Sequence, residues 1–165
     1  MSNRVVEKFI DAGTGKQRTS LTYTGKLSFS LKPDKEWASV SVEKKMWTAR
    51  ADRHLIVPTL WTAPDYSPHV SAFSKEEVRQ LSKEFIEEYE GKEIKFNFSD
   101  TLRIVDPDNW DEVYELAFEP VDCLYLEHLR MKLGFTPKMY GKHEFHMTLG
   151  LKLIKDREKH EKKTV

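Results

Sequence analysis

The tightest constraint in this chain is a short pattern that occurs twice, as His69-Val70-Ser71-Ala72 and His146-Met147-Thr148-Leu149. Each copy is a histidine, an apolar residue, a hydroxyl residue and a second apolar residue. Strand side chains alternate between faces with a period of two. On a strand, His69 and Ser71 therefore share one face, and Val70 and Ala72 the other. In the second copy His146 and Thr148 lie opposite Phe145, Met147 and Leu149. Two strands that each set an imidazole and a hydroxyl above a buried apolar face predict a symmetric site.

The remaining elements are read around those strands. Leu21 to Leu31 alternates as a strand, with Gly25 a bend or bulge, and Trp37 to Val42 is a second strand. Residues 48–53 show no period and read as a loop or short helix. They lead into a strand over His54 to Leu60 interrupted by Pro58, and then into the first motif strand, about Pro68 to Phe73. Ser74 and Glu77 form a capping box, and Val78, Leu81, Phe85, Ile86 and Tyr89 recur at helical spacing up to Gly91. One helix is predicted there. Strands are expected at Ile94 to Phe98, Thr101 to Val105 and Val113 to Phe118, with a turn over 106–109. Pro120 and Asp122 open a helix that Gly134 ends. A loop over 135–144 then precedes the second motif strand, about Phe145 to Leu153. The order predicts an α+β fold with antiparallel sheet in one domain over 1–165, its core about 20–153, followed by a flexible charged tail.

Composition narrows the function classes. Lys plus Arg total 27 and Asp plus Glu total 27, so no global field draws a long polyanion, and no stable long nucleic-acid partner is expected. One cysteine, Cys123, excludes an intrachain disulfide, and at the start of a helix it reads as a small buried residue. No N-terminal apolar h-region and no run of about 18 apolar residues appears, which predicts a cytoplasmic protein without a membrane partner. The glycines of Asp11 to Lys16 lack the spacing of a phosphate loop and read as a turn.

Two imidazoles facing one cleft are the minimal equipment for in-line displacement at phosphorus. One takes a proton from the attacking oxygen and the other gives a proton to the leaving oxygen. Ser71 and Thr148 could hydrogen-bond the non-bridging phosphate oxygens as charge develops. No metal or other cofactor is required. His143 and His146 are not read as ligands, because strand geometry sends them to opposite faces and no carboxylate or cysteine cluster completes a site. His54, His128 and His160 read as surface residues.

On the residues His69-Val70-Ser71 and His146-Met147-Thr148, with the run Leu126 to Gly134 and the approach Lys138 to His146, the chain resembles the 2H phosphoesterase superfamily. Within it the chain is similar to the phage-associated branch that includes the anti-CBASS cyclic-oligonucleotide phosphodiesterases. The resemblance spans about residues 20–153, and its specific part is the two motifs. It implies a bilobal fold with antiparallel sheets lining a central cleft and helices packed outside. It also implies His69 and His146 as catalytic acid and base, phosphate-holding roles for Ser71 and Thr148, and metal-independent chemistry. The host cytoplasm is implied if the chain is phage-encoded.

The expected function is hydrolysis of 3′–5′ linkages in small cyclic di- or trinucleotides, in evasion of CBASS-type immunity. Two alternatives stay open: an RNA-processing or repair enzyme acting on 2′,3′-cyclic or 2′–5′ linkages, and a protein that sequesters a nucleotide without turnover. Trp110, in a polar turn, reads as a base-stacking residue or a loop anchor, and Tyr140 and Lys142 as ligand contacts before His146. Trp47, Trp61 and Tyr66 read as core or interface residues.

Overall fold

The computed structural model describes residues 5–10, 17–107, 110–141 and 143–156, with 5–10 and 17–21 as backbone only. It is an α+β structure of eight strands and four helices among those residues. The order is β1 Val5–Ile10, β2 Gln17–Ser30, β3 Trp37–Ser41, α1 Lys44–Arg53, β4 His69–Phe73, α2 Lys75–Val78, α3 Lys83–Tyr89, β5 Glu93–Phe98, β6 Arg103–Val105, β7 Val113–Asp122, α4 Leu124–Lys132 and β8 His146–Leu153. The glycine turn and the charged tail beyond Asp156 lie outside the described residues.

All strand pairs are antiparallel, and they close a circuit. The second half of β2 pairs with β3, β3 with β4, β4 with β8 and β8 with β7. The end of β7 then pairs with β5, and β5 with the middle of β2. β1 pairs with β2 and β6 with β7 outside this path. Gly25 lies where β2 changes partners. A Cβ there would meet the Ser41 carbonyl oxygen at 2.0 Å, so only glycine lets the two backbones approach so closely. Each strand of the circuit supplies one core: Leu27, Val40, Val70, Ile94, Val121, Met147 and Leu149, with Leu126 and Leu129 from α4.

Several expectations change. The helix after Ser74 is two helices. Ser74 does form its capping box, but Ser82 adopts an extended backbone and accepts from the Phe85 N–H, capping a second start. Apolar spacing continues across the break, which is why periodicity does not reveal it. Residues 54–60 are turns rather than a strand. Leu55 has a φ of 57°, the amide of Ile56 returns to the Ala51 carbonyl, and Trp61 bonds Val57. The ambiguous 48–53 stretch belongs to α1. β7 continues through Pro120, because Val121 N–H bonds Phe145 O at 2.7 Å and Pro120 O accepts from Ser99, so neither ladder needs an N–H at 120. The fourth helix therefore begins later, at Leu124.

Arg130 joins three of these elements. It is fully buried, donates twice to Glu77 at 2.8 and 2.6 Å, and reaches the carbonyls of Ala72 and Thr136 at 2.8 Å each. Burial opposes ionisation of Glu77, but Arg130 and the Ser74 N–H outweigh it and hold the carboxyl below its ordinary range. Ala72 is the extra residue of a bulge, since Ala38 pairs with Phe73 and Ser39 with Ser71. Its carbonyl is thereby turned to the guanidinium. Replacing Arg130 by alanine leaves Glu77 half-buried without its cation. The variant should lose about 3–5 kcal/mol, read from the urea midpoint, and Arg130→Met with Glu77→Gln should recover much of it. An unchanged midpoint in Arg130→Ala would contradict this account of the clamp.

Candidate active site

The pairing of Val70 with Met147 assembles the site. Both side chains are buried on the core face, at 1% and 0% exposure. In an antiparallel pair the flanking residues then follow: His69 stands across from Thr148, and Ser71 across from His146. Residues directly opposite project to the same side of a sheet. The two motifs therefore form a crossed quartet, imidazole facing hydroxyl twice, around a local twofold axis. The histidines lie on its diagonal, where Cβ atoms are about 7–8 Å apart, a gap that a tetrahedral phosphate can bridge.

Both imidazoles are oriented in the same way. His69 Nδ1 lies 2.8 Å from the carbonyl oxygen of Ser67, and His146 Nδ1 lies 3.0 Å from that of Glu144. A carbonyl only accepts, so each Nδ1 carries a proton and each ring turns its Nε2 outward. In each motif the orienting group is the backbone two residues upstream. The repeat therefore includes the approach to each strand as well as the strand itself.

The hydroxyls are positioned differently. Trp37, on the same face of β3 as Ser39 and Ser41, donates its indole N–H to Ser71 Oγ at 3.0 Å, which leaves the Ser71 O–H free to donate. Past the Val70–Met147 pair, β4 and β8 no longer pair. Trp47 Nε1–H takes the place of a strand neighbour and bonds the Thr148 carbonyl at 2.9 Å. That divergence opens a cleft of about 440 Å³, lined by Lys44, Trp47, Pro64, Asp65, Tyr66, His69 and Thr148 among others. Tyr66 lies against the His69 ring, with centroids 5.1 Å apart, and Phe118 against His146 at 4.6 Å.

Other expected residues fall elsewhere. Trp110 is exposed near the start of β7, and Val113 pairs with Leu153, at the opposite end of β8 from His146. A seven-residue strand separation is roughly 23 Å, so Trp110 does not join the quartet. Tyr140 is exposed in the loop before β8, against His143 with ring centroids 5.3 Å apart, and it does not line the cleft. Lys142 lies outside the described residues. Trp61 is core, packed where a Cβ on Gly150 would touch it. Trp47 and Tyr66, read from the sequence as core or interface, line the cleft instead. Their signal was proximity to the first motif, but the polar sequence of α1 hides the direction of Trp47, and the irregular Pro-containing segment between α1 and β4 that of Tyr66. Cys123 is buried, and burial pushes its thiol up to about 11, which makes it unreactive.

His54 is not a surface residue. Its side chain is 9% exposed, and its Nε2 lies 3.3 Å from Glu119 Oε1. His54, Asp100 and Glu119 together could surround a cation. Arg50 already holds both Glu119 oxygens, however, and Arg53, then Arg50, hold Asp100 down to about 2. A metal would have to displace two guanidinium groups. The cluster therefore reads as an ion-pair network that fixes α1 to β7. His143 lies outside β8 and, like His146, belongs to no metal-type cluster among the described residues.

Burial pushes the His146 imidazole below its ordinary value, and the neighbouring His143 and His69 act in the same direction. Its proton is thus bound more weakly in the folded chain than in the unfolded one, where histidine titrates near ~6.5. Stability should be level above about pH 6.5 and should fall as pH drops from there to the lower folded-state value. His146→Gln should flatten that limb in urea unfolding at stepped pH, and an unchanged limb would contradict the burial argument. Comparison of the chain with protein-family models, with curated proteins and with solved structures gives no match, so the functional argument rests on these residues.

Proposed function

We propose that the chain is a metal-independent phosphodiesterase that opens 3′–5′ linkages in small cyclic oligonucleotides by two-histidine acid–base chemistry. The observation that carries this reading is the crossed quartet, with both Nε2 atoms turned outward and a hydroxyl opposite each ring. The motifs' resemblance to the 2H phosphoesterases, and to their phage anti-CBASS branch, supports the substrate class and a role in evading nucleotide-based immunity. The expected bilobal arrangement belongs to the same reading.

Roles follow from surroundings. His146, buried against Phe118 and kept neutral, accepts the proton of the ribose 2′-hydroxyl through Nε2. The 2′-oxygen forms its bond to phosphorus while the bond from phosphorus to the 5′-oxygen breaks. His69, beside the open cleft, enters the step as the imidazolium and gives that oxygen its Nε2 proton. Ser71 and Thr148 donate to the non-bridging oxygens, where charge builds. Water then opens the 2′,3′-cyclic phosphate with the two histidines in exchanged roles, leaving a terminal phosphate.

The test is turnover in EDTA of cyclic di- and trinucleotides, 2′,3′-cyclic mononucleotides and 2′–5′ oligoadenylate. His69→Ala and His146→Ala should each lower kcat by about 10²–10⁴-fold or more. Ser71→Ala and Thr148→Val should cost about 10–10³-fold. A cyclic dinucleotide lacking 2′-hydroxyls should not be cut. Equal cleavage of that analogue overturns the mechanism, and activity restricted to terminal cyclic phosphates or 2′–5′ links moves the assignment to RNA processing.

A further inference from the structure

The cleft beside His69 carries more chemistry than phosphate transfer needs. At about 440 Å³ it falls within the usual range of small-molecule sites, about 300–1,000 Å³. Its wall is formed by α1, through Lys44 and Trp47, and by the turn before β4, through Pro64, Asp65, Tyr66 and Pro68. Most of that lining is aromatic or apolar, which suits the face of a planar ring. Two charged side chains complete it, Lys44 and Asp65. Among the described residues neither forms an ion pair or a side-chain hydrogen bond with the protein. Arg50 and Arg53, further along α1, are by contrast paired with Asp100. A carboxylate and an ammonium left without protein partners in an aromatic cleft are available to a ligand.

Their chemistry selects the ligand. An ionised carboxylate accepts hydrogen bonds and donates none. Guanine presents two adjacent donors, N1–H and N2–H, to two carboxylate oxygens. Adenine and cytosine present an amino donor beside a ring acceptor, and uracil a single N–H between two carbonyls. Only guanine satisfies both oxygens of Asp65 through one edge, while Lys44 remains free for a phosphate. The position of the cleft selects the nucleoside. It meets the site at His69 and Thr148, on the side where the leaving oxygen receives its proton.

We propose that this cleft is a nucleobase pocket in which Asp65 prefers guanine, and that it holds the nucleoside whose 5′-oxygen leaves. The leaving-side assignment rests on the phosphodiesterase reading above, and the guanine preference does not. Two measurements separate them. Guanosine and adenosine are titrated against the Trp47 indole N–H resonance in the wild type and in Asp65→Ala. The linked dinucleosides ApG, GpA and ApA are then compared as substrates.

Guanosine should shift the Trp47 resonance and bind at least about tenfold more tightly than adenosine, the discrimination expected of a bidentate base contact. Asp65→Ala should erase that difference. ApG should exceed ApA in kcat/KM by a similar factor, and GpA should match ApA. Equal binding of the two nucleosides, or a preference that survives Asp65→Ala, overturns the guanine pocket. A preference for GpA over ApG overturns the leaving-side assignment. If neither these dinucleosides nor the cyclic dinucleotides are cut while guanosine still binds beside Trp47, the phosphodiesterase reading falls and the leaving-side assignment with it, and the guanine pocket stands.

Discussion

The register between β4 and β8 decides what this molecule can do. Only Val70 and Met147 are paired between those strands, yet that pair sets His69 across from Thr148 and Ser71 across from His146. A slip of either strand by one residue would turn its histidine toward the core and its apolar side chains toward water, and would part the two imidazoles onto opposite faces. Burial resists such a slip. Val70 on β4 and Met147 and Leu149 on β8 are almost wholly enclosed, and each such side chain exposed by a slip would cost about 1.5–3 kcal/mol. Polar contacts pin the same strands. Arg130 holds the bulged carbonyl of Ala72 just past Ser71, and the indole of Trp47 holds the carbonyl of Thr148.

Two buried arginine–carboxylate clusters stand behind that register. Arg130 with Glu77 ties the end of β4 to α2 and α4, and Arg50 with Glu119 ties α1 to β7. Glu119 pairs with Met147 across β7 and β8, so it sits on the core side directly beneath the site. Buried ion pairs contribute little net stability, since desolvation offsets most of the attraction, but breaking one strands a charge in the interior. In this chain the first pair fixes the end of β4, which carries His69, and the second fixes β7, the neighbour of the strand that carries His146. The wall of the cleft depends on the same support, because α1 is held by Arg50 and carries both Lys44 and Trp47.

What could be read from the residues was what repeats locally. Period-two alternation separates His69 from Val70 and Thr148 from Met147 without any knowledge of partners, and the Ser74–Glu77 capping box marks its helix start. What could not be read depends on distant contacts. Nothing near Ser82 distinguishes a helical serine from one that caps a new helix. Nothing near His54 announces Glu119, sixty-five positions on, as its neighbour. The turns over 54–60 resemble a strand because Leu55, Ile56 and Val57 are apolar and β-prone; Leu55 and Val57 are in fact exposed, and Ile56 packs under Gly150. Trp110 drew attention by its polar surroundings, whereas the strand register sends it to the far end of β8. The direction of Tyr66 depended on an irregular segment that has no period to read, and that of Trp47 on a helix whose polar sequence shows none.

The central claim is that the two imidazoles work as one pair on one phosphate, each through Nε2. Nitrogen-15 NMR of the histidine rings tests it directly. In the free protein His69 and His146 should both carry the proton on Nδ1. A single equivalent of a non-hydrolysable phosphorothioate cyclic dinucleotide should then shift the Nε2 signals of both rings together, with the same midpoint. An unprotonated Nδ1 in either ring, or a ligand that moves one histidine and leaves the other unchanged, would contradict the account.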